Sequence, residues 1–95
     1  MKYTKVTGTK KNHMVKLFAL STCGWCKKTK TLFESLNIEY EYVDVDQLSG
    51  DDLQEAREEL RKYNPRLSHP TTIIDEGKTV IIGFKEDELR EVLNI

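Results

Sequence analysis

Cys23 and Cys26 are the residues best suited to chemistry in this 95-residue chain, because they are its only cysteines and only Gly24 and Trp25 separate them. Two thiols at positions i and i+3 of a helix face the same side, within reach of a disulfide bond. A helix N-terminus also presents free N–H groups and the positive end of a dipole, which favour a thiolate over a thiol. The spacing therefore predicts thiol–disulfide exchange at the start of a helix.

The two cysteines are expected to act in sequence. Cys23, nearer the helix start and more exposed, is the predicted nucleophile whose thiolate attacks a substrate disulfide. Cys26, one turn further on and more buried, is predicted to resolve the mixed disulfide and to leave an intramolecular disulfide. Three lysines next to the pair add positive charge that favours a thiolate, although solvated lysines are the simpler interpretation: Lys27, Lys28 and Lys30.

The residues between the cysteines have different expected properties. Gly24 leaves the first intervening position open and flexible. Trp25 places an indole beside a reactive sulfur, and an exposed indole is costly unless another group packs on it. A ring that folds back on its own helix is the competing interpretation.

The elements that position the cysteines are a strand and a helix. Val15 to Ala19 is an apolar run that predicts a buried strand, and the apolar residues from Cys26 to Leu36 recur at helical spacing. Ser21 and Thr22 are the expected N-cap residues of this helix. Asn37 suits its C-terminal end.

The rest of the chain predicts a second strand, a second helix, a hairpin and a last short helix. The order β-α-β-α-β-β-α predicts an α/β fold with a four-stranded mixed sheet and helices on both faces. Residues 1–13 form a polar, basic tail that allows a short edge strand around residues 3–7. The later elements are expected at Glu39–Val45, at a helix from Ser49 to Asn64-Pro65, at Thr71–Asp75, at Thr79–Ile82 and at Glu86–Leu93.

Composition limits the classes of function. The length fits one domain with a modest core, and a net charge of −1 argues against a strongly cationic nucleic-acid binder. No apolar run is long enough to span a bilayer, and none at the start is typical of a signal peptide. We therefore expect a soluble, cytoplasmic, monomeric protein, in a compartment where a lone cysteine pair is catalytic or metal-binding rather than a structural disulfide.

Three features together resemble the glutaredoxins and the related NrdH-type redoxins of the thioredoxin fold. A strand leads into Cys23-Gly24-Trp25-Cys26 at a helix start, His69-Pro70 precedes a later strand, and Gly83-Phe84 precedes the last helix. The resemblance covers residues 14–95. It implies a thioredoxin-like three-layer α/β/α sandwich and a small electron carrier that reduces protein disulfides or glutathione mixed disulfides.

The resemblance also implies roles for residues outside the cysteine pair. Pro70 would be a cis-proline lying against the cysteine turn, and Trp25, Gly83 and Phe84 would line the substrate groove. His69 takes a place that the family usually gives to a small or β-branched residue. We hypothesise that its imidazolium stabilises the Cys23 thiolate; the alternative is a loop histidine that contacts only substrate or solvent.

The reductant of such a carrier is not decided by the sequence. Leu20 stands where glutaredoxins usually carry a lysine that holds a glutathione carboxylate, and the Gly83-Phe84-Lys85 run is closer to redoxins that an enzyme reduces. Arg66 or Lys85 would be the substitute anion partner. The expected partners are disulfide-containing proteins together with a thioredoxin-type or other disulfide reductase, or with glutathione as a co-substrate.

Two other classes of function stay open. Cys23, Cys26 and His69, with His13 as a fourth ligand, would make a zinc or iron–sulfur scaffold, although we expect no bound metal or cofactor. A non-catalytic binding module on the same fold would instead use the acidic residues between Asp51 and Glu59 to dock a partner.

Overall fold

The computed structural model describes residues 1–94, so that Ile95, the last residue of the predicted domain, lies outside the described residues. Five strands and three α-helices follow one another in this part of the chain. The strands are β1 (Thr4–Val6), β2 (Val15–Ala19), β3 (Tyr40–Asp44), β4 (Thr71–Ile74) and β5 (Thr79–Ile82). The helices are α1 (Gly24–Ser35), α2 (Gly50–Arg61) and α3 (Glu86–Val92).

The strands form one mixed sheet in the order β1-β3-β2-β4-β5. β2 and β3 are parallel, and the other neighbouring pairs are antiparallel. The sheet has the four predicted strands and a fifth, β1, which lies within the range 3–7 where the sequence allows an edge strand and pairs antiparallel with β3, for example Thr4 with Tyr42. Thr4 and Lys5 of β1 are exposed, so this strand lacks the buried residues that each of the other four strands contains.

Helices cover both faces of the sheet, as predicted. Successive side chains of a strand point to opposite faces, so Leu17 and Phe18 of β2 belong to two different cores. The core on the Leu17 side is closed by α1 and α3, which contribute Leu32, Phe33 and Leu89. The core on the Phe18 side is closed by α2, which contributes Ala56 and Leu60.

Three connecting loops meet at the end of the sheet where β2 and β5 finish. The register pairs Phe18, near the end of β2, with Thr71 at the start of β4, and pairs Thr71 with Ile82 at the end of β5. The loop before α1, the loop before β4 and the loop after β5 are therefore neighbours.

The helices described for residues 1–94 are too short or too polar to cross a bilayer.

Candidate active site

Cys23 is the N-cap residue of α1. Its backbone is extended, with φ −86° and ψ 118°, and its Sγ atom accepts a hydrogen bond from the backbone N–H of Cys26 at 3.2 Å. A sulfur in this position takes the place that a serine or aspartate oxygen usually has at a helix start. The prediction that Ser21 and Thr22 cap the helix is therefore wrong, and the helix begins one or two residues later than those caps imply.

Cys26 lies one turn into the helix and is fully buried, whereas Cys23 is only partly buried; both are free thiols. The predicted difference in exposure is thus confirmed. Burial, followed by the hydrogen bond with Cys23, raises the pKa of Cys26 to about 12, although the backbone at Leu20 and the charge of Lys30 act in the opposite direction. Cys26 consequently holds its proton at neutral pH.

Trp25 is exposed over 57% of its surface, and its ring stacks on Phe84. The ring centroids are 5.8 Å apart and the planes differ by 24°. The Nζ atom of Lys28 lies 4.7 Å from the Trp25 ring centroid, at a distance typical of a cation–π contact. The indole is therefore paired with a ring from the loop before α3 and is not folded back on α1 alone.

The loop before β4 contains the proline that the resemblance singled out. The His69–Pro70 peptide bond is cis, and Pro70 is buried. The N–H of Gly83 donates a hydrogen bond of 2.8 Å to the Pro70 carbonyl, which joins this loop to the one that carries Phe84. Gly83 has φ +88°, a conformation that glycine adopts without strain.

His69 is half-buried, and its Nε2 atom is buried with no hydrogen-bond partner among the described residues. Burial lowers the pKa of His69 below its ordinary value of 6.5, while the charge of Asp46 acts to raise it. The imidazole is therefore neutral at pH 7, which does not favour the imidazolium hypothesis. His69 instead faces a groove of about 350 Å³ beside α2, together with apolar residues, Asp46 and Arg57.

The structure brings together only some of the predicted site residues. Three loops meet at the end of the sheet where β2 and β5 finish and β4 begins. They are the cysteine loop with Trp25, the loop that contains Pro70, and the loop that contains Gly83 and Phe84. Arg66 is exposed in the loop before His69 and forms no ion pair among residues 1–94, and Lys85 is exposed with its Nζ atom 4.0 Å from Glu88. Also exposed are Thr22, Gly24 and Lys27.

Asp46 belongs to the site region although no local sequence pattern indicates it. Its carboxylate accepts a 2.8 Å hydrogen bond from the Ser21 N–H and a second one from the Ser21 hydroxyl, and these bonds lower the pKa of Asp46. The two residues lie 25 positions apart in the sequence. The signal that predicts their contact is the parallel pairing of Ala19 with Asp44, because each partner lies two residues beyond that pair.

The four-ligand metal site is not assembled by the described residues. His13 lies before the start of β2, at the end opposite the cysteines, and its Nδ1 atom is 2.7 Å from an Asp75 carboxylate oxygen. Within residues 1–94 no group of three or more histidine, cysteine, aspartate or glutamate side chains is arranged to hold a metal ion.

Comparison with known proteins agrees with this geometry. A family model described as Glutaredoxin matches residues 15–78. The chain belongs to the glutaredoxin family. It is 36% identical over 80 residues to an uncharacterised glutaredoxin-like 8.6 kDa protein of the rubredoxin operon of Clostridium pasteurianum, an alignment that covers 84% of this chain and 97% of the relative.

Solved structures of the family superpose on the whole chain. A glutaredoxin of Methanosarcina mazei is 45% identical with a TM-score of 0.87, covering 100% of this chain and 90% of that one. Methanoredoxin of Methanosarcina acetivorans is 38% identical with a TM-score of 0.86, covering 100% and 97%. The predicted thioredoxin-like fold is confirmed, and the chain is a glutaredoxin-like redox protein with an adjacent cysteine pair.

Proposed function

We propose that this glutaredoxin-family chain is a dithiol oxidoreductase that reduces protein disulfides through Cys23 and Cys26. The observation that carries the proposal is the arrangement of the two sulfurs at the start of α1. Cys23 Sγ lies at the helix N-terminus and accepts the Cys26 N–H at 3.2 Å, while the Cys26 thiol is buried behind it. A partly exposed sulfur at a helix N-terminus is in the environment that stabilises thiolates.

The exchange takes place in two displacement steps. The Cys23 thiolate attacks one sulfur of the substrate disulfide, so that a Cys23–substrate bond forms and the other substrate sulfur leaves as a thiolate. Cys26 then loses its proton and attacks Cys23 Sγ, which releases the second substrate thiolate and closes the Cys23–Cys26 disulfide. In total, two electrons pass from the Cys23–Cys26 dithiol to the substrate disulfide. The proposed reaction uses only these sulfurs and needs no bound cofactor.

The high pKa of Cys26 fits the second step. Burial is the largest cause of the raised pKa of Cys26, and the hydrogen bonding and charge of Cys23 raise it further. Once Cys23 is bonded to substrate it carries no negative charge, so this contribution disappears and Cys26 becomes easier to ionise. Cys26 would therefore act after the mixed disulfide forms, in the order the mechanism needs.

The proposal is tested by disulfide turnover of three chains: the native protein, Cys23→Ser and Cys26→Ser. We expect turnover of a protein disulfide by the native chain, none by Cys23→Ser, and accumulation of a one-to-one mixed disulfide by Cys26→Ser. Retained activity in Cys23→Ser would overturn the catalytic assignment and would favour a docking module on the same fold, which does not need the sulfur.

The reductant is tested in the same assay. We propose that an enzyme reductase of the thioredoxin-reductase type regenerates the dithiol, because Leu20 replaces the lysine usual in the family and no ion pair or other described contact places Arg66 or Lys85 at the cysteines. The native chain is coupled in parallel to that enzyme and to glutathione with glutathione reductase. Turnover sustained by glutathione alone would contradict this assignment.

We further propose that the protein acts as a cytoplasmic monomer. A thiol carrier needs a reduced dithiol at rest, and the cytosol keeps thiols reduced. Sedimentation of the purified chain tests the monomer, and fractionation of cells that produce it tests the location. A stable dimer, or recovery outside the cytoplasm, would contradict the respective part.

A further inference from the structure

A second concave surface lies between α1 and α3, on the side of the cysteines away from His69. This α1–α3 groove has a volume of about 490 Å³. One wall is formed by α1 and the other by Phe84 and α3. Its lining includes Lys27, Lys28, Phe84, Glu86 and Arg90.

The α1–α3 groove is cationic although the chain as a whole has a net charge of −1. Its charged lining consists of Lys27, Lys28, Arg90 and one carboxylate, Glu86. Arg90 Nε lies 2.9 Å from Glu86 Oε2, so these two charges neutralise each other. Neither Lys27 nor Lys28 forms a salt bridge within the described part of the chain. Lys28 Nζ lies over the Trp25 ring, so no carboxylate among the described residues neutralises either ammonium group.

The acidic residues nearby do not cancel this charge. Asp87 and Glu88 lie in the first turn of α3 but do not line the groove. The acidic residues of α2 belong to a helix that packs on the opposite face of the sheet from α1 and α3. The net positive charge therefore belongs to the lining of the groove, where Lys27 and Lys28 lie.

The groove adjoins the cysteine pair through the aromatic stack. Phe84 lines the groove and stacks on Trp25, which is the residue directly before Cys26. Lys28 contributes to the groove and also lies over the Trp25 ring. A chain that starts at a sulfur bonded to Cys23 and passes the stack would thus enter the groove.

We propose that the α1–α3 groove docks an acidic segment of the disulfide-bearing protein partner, close in sequence to the cysteine that Cys23 attacks. This inference rests on the proposed oxidoreductase function and adds a substrate class to it. The carboxylates would pair with Lys27 and Lys28, and an apolar side chain of the segment would pack on the Trp25–Phe84 stack. Such complementarity speeds encounter and selects partners more than it adds affinity.

The length of the groove limits where the acidic residues must lie. Its lining along α1 runs from Lys27 to Ser35, which at a helical rise of about 1.5 Å per residue corresponds to about 12 Å. An extended peptide covers that distance with about four residues. Lys27 and Lys28 directly follow Cys26, at the cysteine end of this span, so the recognised carboxylates are expected within about four residues of the partner's cysteine.

The test uses disulfide-linked peptide dimers that differ only in the type and position of their charged residues. One peptide carries aspartates within four residues of the cysteine, a second carries lysines there, and a third carries the aspartates ten residues away. The measured quantity is the ratio of kcat/KM values between peptides for one protein, because any change in the reactivity of Cys23 itself cancels in that ratio.

Lys27→Glu/Lys28→Glu is the test variant, and Lys2→Glu/Lys10→Glu is its matched control. The control changes the net charge equally at exposed lysines of the N-terminal segment. We expect the native chain and the control to prefer the near-aspartate peptide by about tenfold over the lysine peptide. We expect the test variant to lose or invert this preference, and raised salt to weaken it.

Three results would overturn the proposal while leaving the oxidoreductase function intact: equal rates for the near-aspartate and lysine peptides, an unchanged preference in the test variant, or an equal loss in the control. If no peptide is reduced at all, the proposed function fails instead. The groove is then tested by binding alone, because Trp25 is the only tryptophan of the chain. A cysteine-free acidic peptide should change the Trp25 emission of the native protein and not that of the test variant; no change in the native protein would overturn the docking proposal.

Discussion

The Sγ atom of Cys23 accepts a hydrogen bond from the backbone N–H of Cys26 at 3.2 Å, so the first cysteine caps the helix that buries the second. This one hydrogen bond therefore contributes both to the stability of α1 and to the environment of the reacting sulfur. The N–H that would otherwise be unsatisfied at the helix start is also a donor to the sulfur that must carry negative charge. Any change at residue 23 is expected to alter both.

The capping role predicts a difference between two substitutions at this position. Cys23→Ser keeps a side-chain acceptor at the N-cap, whereas Cys23→Ala removes it. The alanine variant should therefore be less stable than the serine variant by about 1 kcal/mol. Urea denaturation under reducing conditions measures this difference, and equal midpoints for the two variants would show that the sulfur contact contributes nothing to the helix.

The buried Cys26 thiol predicts a loss of stability at high pH. Its pKa is raised from 9.0 to about 12 in the folded protein. Between these two values the unfolded chain releases a proton that the folded chain retains, so the free energy of unfolding falls as the pH rises. Cys26→Ala should reduce the slope of this fall by the equivalent of about one proton. Denaturation midpoints of both proteins across this pH range provide the measurement, and parallel curves would contradict it.

Gly83 and Gly24 form a matched pair for testing the loop that carries Phe84. Gly83 has φ +88°, whereas Gly24 is the first residue of α1 and has open space where an alanine Cβ would lie, with no atom within 4 Å. Gly83→Ala should cost about 1–2 kcal/mol because an L-residue is strained in that conformation. Gly24→Ala should leave stability unchanged or raise it by up to about 1 kcal/mol. Equal effects in thermal unfolding would show that the Gly83 backbone relaxes freely.

The parts of the fold that could be predicted from the sequence are those with local patterns. In β2, α1 and β5 the spacing of the apolar residues fits only one type of secondary structure. The spacing of the two cysteines places the site at the start of α1. β1 is harder to predict, because a short edge strand with exposed side chains buries little and leaves no alternating pattern. Its partner strand, β3, is more than thirty residues away in the sequence.

The errors at the site have the same physical origin. Ser21 suits an N-cap by residue type, but its hydroxyl bonds to Asp46, which only the pairing of β2 with β3 brings close. A thiol is a weaker hydrogen-bond acceptor than a hydroxyl, so residue preference ranks Cys23 below its neighbours. The burial of His69 also depends on packing against the segment after β3, and no local pattern predicts the direction in which its pKa moves.

The variant His69→Val separates the two interpretations of this residue. An imidazolium beside Cys23 would favour the thiolate, so that His69→Val would move the pH profile of Cys23 alkylation upward. The structure favours the other outcome, because burial lowers the pKa of His69 and no hydrogen bond among the described residues joins it to Cys23. We therefore expect the same alkylation profile for His69→Val as for its parent, both measured in the Cys26→Ser background so that Cys23 alone reacts. His69 lines the groove beside α2, and its Nε2 atom is buried without a hydrogen-bond partner among the described residues. Turnover of a disulfide that binds in this groove should therefore fall in His69→Val and be partly restored in His69→Gln, whose amide offers a polar atom again. An upward shift of the alkylation profile would restore the imidazolium hypothesis.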